Sequence, residues 1–173
     1  MGLSDIPGAE LERRRALAGT RSIRYRAGSE YAPDDPFGRT LLWLHRDGRA
    51  RLGNWHRGNS RAWSGHVDTT VLGQVVAHLQ AGGFPDAKPL SLVPGATFEI
   101  RILTDSPRSK PDPLTVGDNT HSRNPDYRAA IVLLDSVVRQ LSQDTIPVGA
   151  APTRTLVDGV RGIDVIEVDE DFD

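Results

Sequence analysis

Residues 39–68 read RTLLWLHRDGRARLGNWHRGNSRAWSGHVD. The fold turns on how this stretch is divided. It contains two turn signals, Asp47-Gly48 and Gly58-Asn59-Ser60, between runs rich in residues that favour strands. The spacing predicts three strands in an antiparallel meander, over 40–45, 49–55 and 61–67. All three tryptophans of the chain (Trp43, Trp55, Trp63) lie in this window, with six arginines and His45, His56 and His66. An antiparallel sheet has one face for a core and one that can meet solvent or a partner. Arg and Trp are the side chains most often found at the energetic centre of interfaces. On 49–55, Arg49, Arg51, Gly53 and Trp55 share a face; on 61–67, Arg61, Trp63, Gly65 and Val67 do.

Working outward, residues 21–27 alternate, with Ile23, Tyr25 and Ala27 on one side and Arg24 and Arg26 on the other. That is the period of a half-buried strand. Behind the meander, Val71, Leu72, Val75, Val76 and Leu79 recur at helical spacing, with Asp68 or Thr69 available as a cap. Gly82-Gly83 followed by Phe84-Pro85 ends that helix. Phe98, Ile100 and Ile102 alternate with Glu99 and Arg101 as a further strand. Asn124-Pro125 opens a second helix, whose stripe is Tyr127, Ile131, Leu134, Val138 and Leu141. Leu114 to Val116 is a candidate short strand inside the long loop 105–123, and the weak alternation in 156–168 is a candidate for an added edge strand.

The expected architecture is α+β: an antiparallel meander sheet of about five strands with two helices packed on one face. Residues 1–20 are expected to be peripheral, with a short helix near 9–18. Residues 21–142 form the domain, and 143–173 are read as a linker and an acidic C-terminal tail.

The composition narrows function by exclusion. A chain of 173 residues with a net charge of −2 is not a default nucleic-acid binder. The charge is uneven: residues 1–68 hold 12 Arg/Lys against 8 Asp/Glu, and residues 69–173 hold 9 against 15. No cysteine is present, which removes thiolate metal sites and a cysteine nucleophile. The longest apolar run, Ala129 to Leu134, is six residues, far below the roughly 18 that span a bilayer. With no secretion or myristoylation signal at the N-terminus, the chain reads as soluble and cytoplasmic. No phosphate-cradling glycine loop and no Gly-x-Ser-x-Gly elbow occur, and no cofactor is expected.

Three functional readings follow. The first is non-enzymatic binding of another protein with an acidic site, through Arg49, Arg51, Trp55, Arg57, Arg61 and Trp63, where Trp supplies buried area and Arg charge-assisted bonds. The second is a small metal- or His/Asp-dependent hydrolase or lyase using His66, Asp68 or His121; His45, His56 and His66 on successive strands could converge on a metal, but their spacing fits no compact ligand motif. The third is single-stranded nucleic acid stacked on the tryptophans. The order of a β-meander, a Gly-Phe-Pro helix end, the strand Phe98-Glu-Ile-Arg-Ile102 and the helix from Tyr127 to Leu141 looks like small bacterial inhibitor proteins. Those include emfourin-type protease inhibitors and immunity proteins of polymorphic toxins. This resemblance of element order, over residues 21–142, implies inhibition of a partner protein and assigns no residue a role.

Overall fold

In the computed structural model, the described residues are 8, 11, 17–28, 38–85, 97–105, 111, 114–117, 124–146 and 159–169. The strands are β1 (Thr20–Ala27), β2 (Arg39–His45), β3 (Arg49–His56), β4 (Asn59–His66), β5 (Thr97–Thr104), β6 (Leu114–Gly117) and β7 (Arg161–Ile166). The helices are α1 (Thr70–Ala81), between β4 and β5, and α2 (Pro125–Leu141), between β6 and β7. Among the described residues these strands form one seven-stranded sheet in the order β6-β5-β1-β2-β3-β4-β7. Every neighbouring pair is antiparallel. The expected α+β architecture holds; the candidate in 156–168 is an edge strand, and the short strand at 114–117 forms the opposite edge.

Alternation in each strand selects the face that meets the helices. Ile23 and Tyr25 of β1, Leu42 and Leu44 of β2, Ala50 and Leu52 of β3, Trp63 of β4 and Ile100 and Ile102 of β5 are all buried in one core. Val71, Leu72, Val75 and Leu79 of α1 close it, together with the broad apolar side of α2. Asn124 caps α2 by accepting from the N–H groups of Asp126 (3.0 Å) and Tyr127 (3.3 Å). Its amide also donates to the Gly82 carbonyl at the end of α1 (3.1 Å), which ties the helices together. Glycine is required at 82 because a Cβ there would overlap the Tyr127 ring. At the start of α1 the capping oxygen comes from Asp68, which accepts from the Thr70 N–H (2.9 Å) and hydroxyl (2.7 Å).

The β3–β4 hairpin differs from the sequence expectation. The turn is Arg57-Gly58, not Gly58-Asn59-Ser60. Both residues have positive φ (50° and 80°), as a type I′ turn demands. His56 then pairs with Asn59, Trp55 with Ser60 and Leu52 with Trp63. A turn centred on Gly58-Asn59-Ser60 would have paired Trp55 with Trp63. Because side chains alternate, moving the register by one residue sends every side chain of β4 to the opposite face.

The flanks also contribute more than expected. Leu17 and Ile146 are buried in the main core, and β7 pairs with β4 across Ala62–Ile166 and Ser64–Asp164. Most of the short helix expected near 9–18 lies outside the described residues. No helix among the described residues is long and apolar enough to cross a membrane.

One carboxyl lies inside this core. Asp135 of α2 is 2% exposed and accepts a 2.7 Å hydrogen bond from the Tyr25 hydroxyl. Burial outweighs that bond and pushes its pKa up to about 6 from 3.8. The folded state therefore holds this proton more tightly than the unfolded chain. The resulting stabilisation is complete below about pH 4 and lost as pH rises through 6, on the order of 3 kcal/mol in all. Asp135→Asn removes the titration. Its stability relative to wild type should therefore improve by about 2–3 kcal/mol between pH 4 and pH 7 in urea unfolding. A difference that stays constant with pH would refute the assignment.

Candidate functional site

The helices cover one face of the sheet; among the described residues, the other face is met only by the residues that follow β7. The register lines up side chains on that open face in transverse rows. One row runs Arg101–Arg24–Trp43–Arg51–Ser64–Asp164, across β5, β1, β2, β3, β4 and β7. The next runs Glu99–Arg26–Leu41–Gly53–Ala62–Ile166. Arg49 is opposite His66 at the end where β2 turns into β3.

The open face has two zones. In the first, Leu41 and Ala62 are buried beneath Trp55, Ile166 and Val168 in a small apolar cluster separate from the core. In the second, Arg21, Arg24, Trp43, His45, Arg49 and Arg51 are among the residues that line a hollow of about 410 Å³. Leu41 lines it too, on the border between the zones.

Charge on this face is mixed. Arg51 Nη2 donates to both carboxylate oxygens of Asp169, at 3.0 and 2.9 Å. Arg49 donates through Nε to Asp47 (2.8 Å), and Arg101 to Glu99 (2.8 Å). The N–H of Arg49 also bonds Asp47, and this backbone bond is the main reason the Asp47 carboxyl falls to about 2. His45 Nδ1 is 2.9 Å from the same carboxylate, and the His45 ring leans on Trp43 with centroids 5.5 Å apart. Arg21, Arg24 and Arg26 form no ion pair with any described residue. Arg39 stacks over Trp55 at 4.3 Å, a cation–π contact that holds both side chains against the sheet.

The expected contact set is divided by the hairpin register. Arg49, Arg51 and Trp55 do lie together on the open face. Trp63 does not; it is 5% exposed beneath the helices. Arg61, opposite Asn54, shares the helical side, with its guanidinium 5.5 Å from the Trp63 ring centre. Arg57 occupies the hairpin tip, exposed. The tryptophan missing from the expected set is Trp43, and the arginine is Arg24. The signal for Arg24 was the alternation of β1, which had already put Arg24 and Arg26 opposite the core residues.

Among the described residues, the alternative sets do not assemble. His66 is exposed on the open face, whereas Asp68 lies past the strand end and is occupied with Thr70. The Thr70 hydroxyl, then its N–H, lowers the Asp68 carboxyl below the usual range. His121 lies outside the described residues. His45 and His66 face away from the helices, while His56, on the other parity of β3, does not join them. Among the described residues no group of three or more His, Asp or Glu side chains could hold a metal ion. Neither a protein-family model nor a curated protein sequence matches this chain.

The division of the tryptophans has a stability signature. Trp63→Ala should cost about 3–5 kcal/mol, the range for emptying a large core site. Trp43→Ala should cost no more than about 2 kcal/mol, because that ring is only half-buried. Denaturant unfolding of both variants tests this, and equal losses would contradict the register.

Proposed function

We propose that the protein is a non-enzymatic binding domain whose open sheet face takes an acidic segment of a partner protein. The observation that carries this reading is the row Arg24–Trp43–Arg51 at the floor of the hollow, on the face the helices leave uncovered. An indole between two guanidiniums offers apolar area and forked donors for carboxylates within one strip. Guanidinium and indole groups bind and orient, but neither serves as a nucleophile or general base at neutral pH. The His45–Asp47 pair is accounted for by the turn it closes, in which the carboxylate first serves the Arg49 backbone.

Mixed charge favours a protein over a nucleic acid. Glu99, Asp47, Asp164 and Asp169 are interleaved with the arginines, and carboxylates spaced along the strip repel a phosphodiester backbone. A protein partner matches such a pattern with complementary charges of both signs. If the partner's acidic segment belongs to its own working site, binding here inhibits it, as the resemblance to small inhibitor and immunity proteins implies.

The test compares two charge-reversed pairs for binding a labelled oligo-glutamate peptide, with oligothymidylate as the contrasting ligand. Arg24→Glu with Arg51→Glu should weaken peptide binding by about tenfold or more, which is about 1.4 kcal/mol. Arg57→Glu with Arg61→Glu, on the turn and the other face, should leave it within about twofold. Equal effects of the two pairs would reject the face, and preferential binding of the oligonucleotide would reject a protein partner.

A further inference from the structure

We propose that the hollow around Trp43 is a phosphotyrosine site: the acidic group it takes from the partner segment is a phosphomonoester carried on an aromatic ring. This proposal rests on the binding reading above and names the side chain that the hollow recognises.

The register builds the hollow from two neighbouring rows at one end of the sheet. The first is Leu103–Ser22–His45, across β5, β1 and β2. The second, two residues further along β1, is Arg24–Trp43–Arg51. Ser22 is short and buried while long arginine side chains stand around it, so the floor is low and the rim high. Arg24 and Arg51 are two strands apart, about 10 Å at the backbone, with the Trp43 indole between them. Arg21 and Arg49 also line the hollow, and Leu41 and Leu103 supply its apolar part. Its volume of about 410 Å³ is near the lower end for small-ligand sites, roughly 300–1,000 Å³, and suits one ring with its phosphate.

Charge within the hollow is one-sided. None of its described lining residues is acidic. Arg49 and Arg51 are engaged from outside it by Asp47 and Asp169. Arg21 and Arg24 have no ion pair among the described residues. Arg24 is half-buried, and a guanidinium taken partly out of water without an anion is costly. A phosphomonoester carries a charge of about −1.5 to −2 at pH 7 and three acceptor oxygens, so one group answers both guanidiniums. Their planar forks suit those oxygens. A glutamate carboxylate carries a single charge, and its methylene stem makes little use of an indole. A phenyl ring does, by offset or edge-on packing against Trp43.

The carboxylates that disfavour a phosphodiester chain do not oppose a single phosphate here, because Glu99 and Asp164 lie outside the hollow. Arg26 provides an internal control. It is on the same strand and face as Arg24, opposite Leu41, yet it does not line the hollow. Both side chains are on the open face, away from the core, so replacing either leaves the packing beneath the helices intact.

The test uses the full chain and three capped peptides, Asp-Glu-Xaa-Asp-Glu, in which Xaa is phosphotyrosine, tyrosine or phosphoserine. Affinities are read by titration calorimetry, with inorganic phosphate and thymidine monophosphate as small-ligand probes. The phosphotyrosine peptide should bind about tenfold or more tightly than the other two, the scale of one charge-assisted hydrogen bond or more. R24Q should remove most of that preference, and R26Q should leave it within about twofold. Equal binding of the phosphotyrosine and tyrosine peptides overturns the proposal and leaves the acidic-segment reading standing. Equal binding of the phosphoserine peptide overturns the aromatic carrier. Phosphate or thymidine monophosphate binding as tightly as the phosphotyrosine peptide overturns a protein-borne ligand. Equal losses in R24Q and R26Q overturn the hollow as the site. Binding of none of the peptides overturns both readings.

Discussion

A hairpin closed by two residues leaves no slack in its register. In the β3–β4 hairpin both turn residues take the left-handed conformation, which matches the right-handed twist of the strands and fixes His56 against Asn59. From that pair the face of each β4 side chain follows by alternation. Trp63 goes under the helices opposite Leu52, and Ala62, Ser64 and His66 go to the open side. The cost is a non-glycine residue, Arg57, at positive φ, where L-residues lose about 1 kcal/mol or more. Burial of the Trp63 ring in the shared core offsets it.

The same alternation in the other strands gives the sheet two unlike faces. On the covered side, β1 to β5 supply aliphatic and aromatic residues, and one carboxyl, Asp135, is held by Tyr25. On the open side the same strands supply guanidiniums, two indoles and imidazoles. Several of these are neutralised locally: Arg49 by Asp47, Arg101 by Glu99, and Arg51 by a residue 118 positions away. The long-range pair differs in kind from the others. It closes no turn and joins no neighbours, so it fixes where the chain runs after β7. Together with Val168 on the Leu41–Ala62 cluster, it turns an edge strand's trailing end into part of the face itself.

The two helices were legible because their signals are local. The stripe of α1, and the Asn124-Pro125 start of α2, depend only on residues within a few turns of one another. The sorting within single strands was legible for the same reason, as in Ile23 and Tyr25 against Arg24 and Arg26. The relation between strands was not. Gly58-Asn59-Ser60 is richer in turn formers than Arg57-Gly58, and nothing nearby in the sequence marks Arg57 as left-handed. Choosing the former merges Trp55, Trp63, Arg51 and Arg61 onto one side; the actual register separates them. Trp43 was hidden for a different reason. Leu41-Leu42-Trp43-Leu44 is apolar on both faces, so alternation cannot tell which side the indole takes. The strand β7 and its continuation had only a weak period of two, and their placement depends on β4 and on Arg51.

Since the separation of Trp63 and Arg61 from the open arginine–tryptophan face exists only in one register of this hairpin, the most direct measurement is the set of cross-strand proton contacts between β3 and β4 by NMR. The structure predicts contacts between Leu52 and Trp63 and between Trp55 and Ser60, with none between the Trp55 and Trp63 rings. Contacts between those two rings would mean that the turn is centred on Asn59, that Trp63 shares a face with Trp55, and that the sorting of the two faces described here is wrong.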